Sequence, residues 1–94
     1  MEDWQRSYIV QNKQSLAINT KCNNEFIKIL IQNEVLRHKD AKLLAQFEDE
    51  HAKSLELYEI LMSKREAYRM LMRALGRTGQ SEAFTMLLDG LRDQ

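Results

Sequence analysis

The sequence predicts an all-α fold, a bundle of six short antiparallel helices. The 94 residues contain no proline and only three glycines, all of them after residue 75, so little interrupts a helix. Apolar residues also recur at spacings of three and four in six successive segments, which is the period of one helix face. Because the joints between the segments are short, each helix is expected to run antiparallel to its neighbour in sequence.

The first helix is predicted over residues 3–18. Its apolar face comprises Trp4, Tyr8, Ile9, Leu16 and Ile18. Polar residues fill positions 11–15, so we expect the helix to be bent or only partly buried there. A cap at Asn23 or Asn24 precedes a second helix over residues 26–36. Its first residues also alternate as a strand would, but a lone strand among helices would have no partner.

A short third helix is predicted over residues 41–47 and a fourth over residues 51–62. Between them stand three adjacent acids, Glu48, Asp49 and Glu50. Negative charge opposes the dipole at a helix C-terminus and suits the start of the next helix. We therefore expect these acids to end the third helix and to begin the fourth.

The fifth and sixth helices follow, with a tight joint between them. Ser63 and Glu66 form an S-x-x-E pattern, which predicts a capping box at the start of the fifth helix. The apolar stripe of that helix comprises Ala67, Met70, Leu71, Ala74 and Leu75. Gly79 can take the left-handed conformation that closes a helix. The sixth helix carries Ala83, Phe84, Leu87, Leu88 and Leu91.

The composition fits one domain spanning residues 1–94, with a core over about residues 3–91. Fourteen basic and fourteen acidic residues give a net charge of zero, yet the charge is segregated along the chain. Residues 40–60 carry six acids and two lysines, net −4, whereas residues 64–77 carry five bases and one acid, net +4. We expect such a chain to bind a copy of itself or a relative through opposite charges.

No residue pattern predicts catalysis, a metal site or a cofactor. A nucleophilic Cys22 would need a general base, but no family signature surrounds it, and His38 and His51 are distant in sequence. The same three residues lack the short paired spacings of zinc sites. The lone cysteine fits a reducing compartment, and neither a membrane span nor a signal peptide is evident. We therefore expect a cytoplasmic or nuclear protein that is not an enzyme and has no membrane partner.

Arginine recurs every four residues along the fifth helix, at Arg65, Arg69, Arg73 and Arg77. This stripe has three interpretations: a solvated face, a surface for acids of a partner protein, or a surface for nucleic acid. Zero net charge argues against nucleic acid, since phosphate binding depends on a positive field.

Several short stretches resemble the caspase recruitment domain, or CARD, of the death-fold superfamily. They are Ala67-Tyr68, Ala74-Leu75, Thr78-Gly79-Gln80 and Leu87-Leu88, with a further match at Leu30–Leu36. From Ala67 onward the sequence is most similar to CARDs of initiator caspases. It departs from the family at Ser63-Lys64-Arg65, where members usually have Arg-Gly.

The resemblance implies a six-helix Greek-key bundle for homotypic CARD–CARD assembly, which recruits and activates a caspase in apoptosis signalling. The chain would then be the non-catalytic prodomain of a caspase, or its scaffold partner. The expected partner is another CARD-containing protein, such as a caspase, an apoptosome-type scaffold or an adaptor, or a second copy of this chain. An innate-immune adaptor or a decoy regulator is one alternative, and a small helical nucleic-acid-binding domain is another.

In that family, a basic surface from helices one and four meets an acidic surface from helices two and three. Carried over by position, the basic candidates are Arg6, Lys13 and Lys53, and the acidic candidates are Glu25, Glu34 and Asp40. The charge pattern of this chain adds the bases Arg65, Arg69 and Arg73 and the acids Glu48, Asp49 and Glu50. These twelve residues are the predicted partner-binding set.

Overall fold

Six α-helices make up most of the chain in the computed structural model, which describes residues 1–93. They are α1 (Asp3–Ile18), α2 (Asn24–Gln32), α3 (His38–Ala45), α4 (Glu50–Met62), α5 (Ala67–Arg77) and α6 (Ser81–Arg92). No strand occurs within the described part of the chain. The predicted all-α bundle of six helices is therefore confirmed.

The helices enclose one hydrophobic core. The first helix packs against α4 and α6, and α5 packs against α2, α4 and α6, while α3 packs against α4. The largest fully buried side chains are those of Phe26, Tyr58 and Tyr68. Since α1 contacts helices far along the chain, the bundle is not a simple succession of neighbouring hairpins.

The bounds of α1 agree with the prediction, and Ile9 and Leu16 lie fully buried on its inner face. The predicted polar interval, residues 11–15, is only partly buried in an unbroken helix. The prediction was wrong at Ile18, which is 72% exposed. Ile18 follows Leu16 by two residues, which is about 200° around the helix, so it faces solvent.

The second helix ends at Gln32, four residues earlier than predicted. Asn23 caps its start, where the side chain accepts a hydrogen bond of 2.9 Å from the amide of Phe26. At its end Glu34 adopts a φ of 61°. The amide of Glu34 donates a 2.9 Å bond to the carbonyl of Ile31, and the amide of Val35 donates a 2.9 Å bond to the carbonyl of Leu30. This pair of bonds is a Schellman closure. The helical spacing was misleading because Val35 stays in the core after the helix has ended.

Replacing Glu34 by glycine is expected to raise the free energy of unfolding by about 0.5–1 kcal/mol, because glycine has no Cβ to oppose the left-handed conformation. Urea unfolding followed by circular dichroism measures the change. Gln32→Gly, two residues earlier at the last residue of α2, is the control and should lower the free energy of unfolding by up to about 1 kcal/mol. An equal decrease of the free energy of unfolding in both variants would contradict the left-handed conformation of Glu34.

The third helix begins at His38, three residues before the predicted start. The carboxylate of Asp40 accepts a 3.0 Å hydrogen bond from the amide of Arg37, and this bond fixes the first turn. The fourth helix begins at Glu50, where the carboxylate of Asp49 accepts a 2.8 Å bond from the amide of Ala52. Asp49 and Glu50 therefore begin α4 as expected, whereas α3 ends at Ala45, before the first of the three acids.

The predicted capping box at the start of α5 was wrong. The hydroxyl of Ser63 donates a 2.7 Å bond to the carbonyl of Ile60 and so belongs to the end of α4. Glu66 precedes α5 with a φ of 57°, and its side chain makes no capping hydrogen bond. Only residues 63–66 separate the two helices, so Ser63 is still held in the last turn of α4 and cannot cap α5.

The tight joint after α5 has the predicted conformation. Gly79 adopts a φ of 71°. Its amide donates to the carbonyl of Gly76 at 3.3 Å, and the amide of Gln80 donates to that of Leu75 at 2.9 Å, which completes a second Schellman closure. The joint lets α6 return against α5.

Candidate interaction surfaces

The fifth helix presents arginine to solvent on the side opposite the core. Ala67, Leu71 and Leu75 are fully buried on its inner side. Arg65, in the joint before α5, and Arg69, Arg73 and Arg77 on the helix are all exposed. We call these four residues the arginine face. None of them makes a direct ion pair among residues 1–93, although Glu2 and Glu66 line the same groove as Arg65 and Arg69.

A second charged surface lies in the joint between α3 and α4. It consists of Glu48, Asp49 and Glu50, all exposed, and we call it the acidic joint. Asp49 caps α4 through one carboxylate oxygen, but the group remains at the surface. No base within residues 1–93 forms an ion pair with these acids. The two surfaces thus carry opposite and internally unpaired charge.

The basic residues carried over by resemblance are placed differently. Arg6 forms an ion pair with Asp3, one helical turn away, and also donates to the carbonyl of Met1. Lys13 forms an ion pair with Glu59, which links α1 to α4. Lys53 lies half-buried on α4 and makes no ion pair within the described part of the chain. The charges of Arg6 and Lys13 are therefore already paired within the chain, at the surface of the bundle.

The acidic residues carried over by resemblance also divide into two groups. Glu25 and Glu34 are exposed. Asp40 is only 9% exposed, and its carboxylate lies 3.1 Å from the ammonium of Lys64 while also accepting the amide of Arg37. Asp40 is thus placed as an internal structural residue, which corrects the expectation of a free surface acid. Its partner was missed because Lys64 follows it by 24 residues.

Asp40 makes the stability of the domain depend on pH. Burial alone would raise the pKa of its carboxyl, but the hydrogen bonds from the Arg37 amide and the Lys64 ammonium outweigh burial and hold the pKa below its ordinary value. The stabilising contribution is therefore complete above the unfolded pKa, near 4, and is lost as the pH falls through the lower folded pKa. Asp40→Asn should reduce the fall in the free energy of unfolding between pH 6 and pH 2, as measured by urea unfolding at each pH. An unchanged pH dependence of this free energy would show that Asp40 does not titrate as described.

The groups considered for catalysis lie in three different environments. Cys22 is buried, its sulfur is 3.6 Å from the hydroxyl oxygen of Ser54, and burial raises the pKa of the thiol. His51 has its Nε2 atom 3.0 Å from the side-chain oxygen of Gln14, and His38 is exposed at the start of α3. Across residues 1–93, no three His, Cys, Asp or Glu side chains are grouped so as to hold a metal ion.

One apolar feature was not expected from the sequence. Ile18 projects at the end of α1, beside a groove of about 710 Å³ that Ala17, Thr20, Glu50 and His51 also line. Glu50 belongs to the acidic joint, so this joint borders an exposed apolar side chain. Helical spacing could have identified Ile18 as outward-facing, because it lies two residues beyond the buried Leu16.

No family model matches this sequence, and no curated protein matches it. No helix in the described region, residues 1–93, is long and apolar enough to cross a membrane. The chemistry of the two charged surfaces is therefore the main guide to what the protein binds.

Proposed function

We propose that this protein is a CARD-type interaction module that assembles with like domains and so recruits and activates a caspase in apoptosis signalling in the cytoplasm. The carrying observation is the pair of oppositely charged, internally unpaired surfaces, the arginine face and the acidic joint. A net-neutral domain with such surfaces is suited to bind a domain of similar charge pattern. The all-α bundle of six helices is compatible with this family.

The residues on which the resemblance depends support the fold rather than the partner. Ala67, Tyr68, Ala74 and Leu75 are buried in α5, and Gly79 makes the left-handed turn. Packing of α1 against both α4 and α6, and of α2 against α5, is compatible with a Greek-key order of helices. Because these residues are needed for packing and for the turn, the same sequence pattern can recur among six-helix bundles with different partners. The choice of partner depends on the charged surfaces.

The surfaces favoured here differ from those that the resemblance implies. Lys13 and Asp40 are each paired within the chain, Lys13 with Glu59 at the surface and Asp40 with Lys64 in a more buried place. Recruiting them for a partner would require these internal pairs to break. The arginine face needs no such rearrangement, so we propose that it carries the basic side of the contact.

Molar mass by light scattering tests the proposed function. The purified domain would be measured at low and high salt, alone and with a candidate CARD from the same source. Mass that grows on mixing and falls again in high salt is expected, because exposed ion pairs are screened by salt. A monomer under every condition would refute homotypic assembly.

Arg69→Glu is expected to weaken this association about tenfold, because it places a carboxylate at the centre of the arginine face, where like charges repel. Lys42→Glu makes the same charge change at an exposed position of α3 and is the control, with no effect expected. Sedimentation equilibrium at low salt gives both association constants. Equal decreases of the association constant in the two variants would mean that association depends on the net charge of the domain and not on the arginine face.

The resemblance predicts that Lys13→Glu weakens assembly, whereas a contact made through the arginine face alone predicts little change. This substitution places a carboxylate beside Glu59 and so removes the Lys13–Glu59 ion pair. The effect of losing this ion pair must be separated from the effect of losing a contact with the partner protein. Glu59→Gln breaks the same pair without reversing charge on α1 and is the matched control. A Lys13→Glu variant that assembles normally would exclude Lys13 from the interface.

Three alternatives are distinguished by the following measurements. An innate-immune adaptor or a decoy regulator would use the same surfaces, and only the identity of the bound CARD distinguishes it. A nucleic-acid-binding domain is favoured by the four unpaired arginines alone, and strong binding to heparin or a random duplex that falls steeply with salt would support it. An enzyme using Cys22 would lose activity in Cys22→Ser, whereas we expect this substitution to leave every activity intact.

A further inference from the structure

We propose that the arginine face of one copy docks on the acidic joint of a second copy of this chain. This rests on the proposed function, because it names the partner of the same two surfaces. The two surfaces are complementary in charge, and neither is neutralised by an ion pair within residues 1–93. A second copy supplies both surfaces at the same concentration, so no further protein is needed for assembly.

The spacing of charges on the two surfaces is compatible. Successive arginines four residues apart in a helix are separated by about 6 Å along its axis. The chain bends at Asp49 and Glu50 begins α4, so the Cα atoms of Glu48 and Glu50 are at most about 7 Å apart. Glu48 and Glu50 can therefore face two successive arginines, such as Arg69 and Arg73, while Asp49 keeps its capping bond to α4.

Apolar side chains border both charged surfaces. Ile18, 72% exposed, projects beside Glu50 at the groove described above. Met70 lies half-exposed between Arg69 and Arg73 along α5. An exposed ion pair alone changes an association constant by roughly fivefold at most. Burial of Ile18 against Met70 and the arginine stems supplies apolar area that the ion pairs cannot provide.

Neutral substitutions test the contact without creating new ion pairs. The base-neutral variant carries Arg69→Gln and Arg73→Gln, and the acid-neutral variant carries Glu48→Gln and Glu50→Gln. Asp49 is left unchanged because it caps α4. The control variant carries Lys39→Gln and Lys42→Gln, which removes equal positive charge from the exposed side of α3. Thermal unfolding of each variant verifies that the fold is intact.

Sedimentation equilibrium at low salt is expected to show self-association at least tenfold weaker for each neutral variant and unchanged for the control. An equimolar mixture should form a 1:1 dimer, because the acid-neutral chain retains the arginine face and the base-neutral chain retains the acidic joint. A chain carrying Arg69→Glu, Arg73→Glu, Glu48→Lys and Glu50→Lys should regain association, because the charges are exchanged on both sides.

Three results would overturn the docking. Wild-type self-association that the neutral variants leave unchanged would place the contact elsewhere while the proposed function stands. A wild-type chain that is monomeric alone but binds a separate CARD would exclude the second copy as partner and would also leave the proposed function intact. Monomeric behaviour both alone and with a CARD would refute the docking and the proposed function together.

Discussion

Replacing Leu75 by alanine is expected to lower the free energy of unfolding by about 2–5 kcal/mol. Leu75 is fully buried on the inner side of α5, the helix that packs against α2, α4 and α6. Removing its isobutyl group loses the transfer free energy of the buried carbons and leaves a cavity that three neighbouring helices cannot easily close. The expected loss is a large fraction of the total stability of a domain of this size, which is typically about 5–15 kcal/mol.

The control for Leu75 is Leu43 on α3, the same residue type at 42% exposure. Leu43→Ala should lower the free energy of unfolding by no more than about 1 kcal/mol, because much of this residue is in water in the folded state and its loss leaves no closed cavity. Urea unfolding monitored by circular dichroism and by Trp4 fluorescence gives both values. A loss below about 0.5 kcal/mol at Leu75 would show that the inner side of α5 is assigned incorrectly.

Replacing Gly90 by alanine is expected to destabilise the domain by about 1–3 kcal/mol through overpacking. Gly90 lies buried in α6, where the rings of Tyr8 and Tyr68 approach the backbone. A Cβ at this position would lie 2.6 Å from Cε2 of Tyr8 and 2.7 Å from the hydroxyl oxygen of Tyr68. Both hydroxyls donate 2.6 Å bonds to α6 carbonyls, of Met86 and Leu87, so neither ring can retreat without breaking one.

Gly76 provides the matched control, because it lies in the last turn of α5 and is exposed. A Cβ there would meet Phe84 at 3.6 Å, an ordinary van der Waals distance. Gly76→Ala should therefore raise the free energy of unfolding by about 0.5–1 kcal/mol, the usual gain when alanine replaces glycine in a helix. If Gly76→Ala and Gly90→Ala changed the free energy of unfolding in the same direction, the close packing of the tyrosines on α6 would be refuted.

The parts of the fold that follow from local pattern were predictable. The existence of all six helices, the bounds of α1 and the turn at Gly79 depend on spacing and on glycine chemistry within a few residues. The end of α2 was not predictable in this way, because Val35 continues the apolar spacing after Glu34 has turned the chain. The capping box failed for a similar reason, since Ser63 suits either the end of α4 or the start of α5.

The candidate surfaces were predictable only in part. Exposure of the arginine face follows from a period of four beside a buried stripe, all within one helix. The internal pairing of Lys13 with Glu59 depends on residues 46 positions apart, which only the packing of α1 on α4 brings together. The approach of Tyr8 to Gly90 likewise depends on α1 lying against α6. Local sequence patterns contain no signal for contacts of this range.

The packing of α1 against α4 and α6 also has a kinetic consequence. The hydroxyl groups of Thr20 and Tyr58 meet across 38 residues, and Tyr8 reaches Met86 across 78 residues. Closing such long loops costs chain entropy before any contact repays it, so we expect this bundle to fold more slowly than an up-and-down bundle of equal length. Stopped-flow refolding gives the kinetic φ-value of a substitution, which is the share of its effect on stability that appears in the folding rate. We expect a value near zero for Tyr8→Phe and a higher value for Ala83→Gly at the local α5–α6 hairpin. High values at Tyr8 would instead place the docking of α1 among the early events of folding.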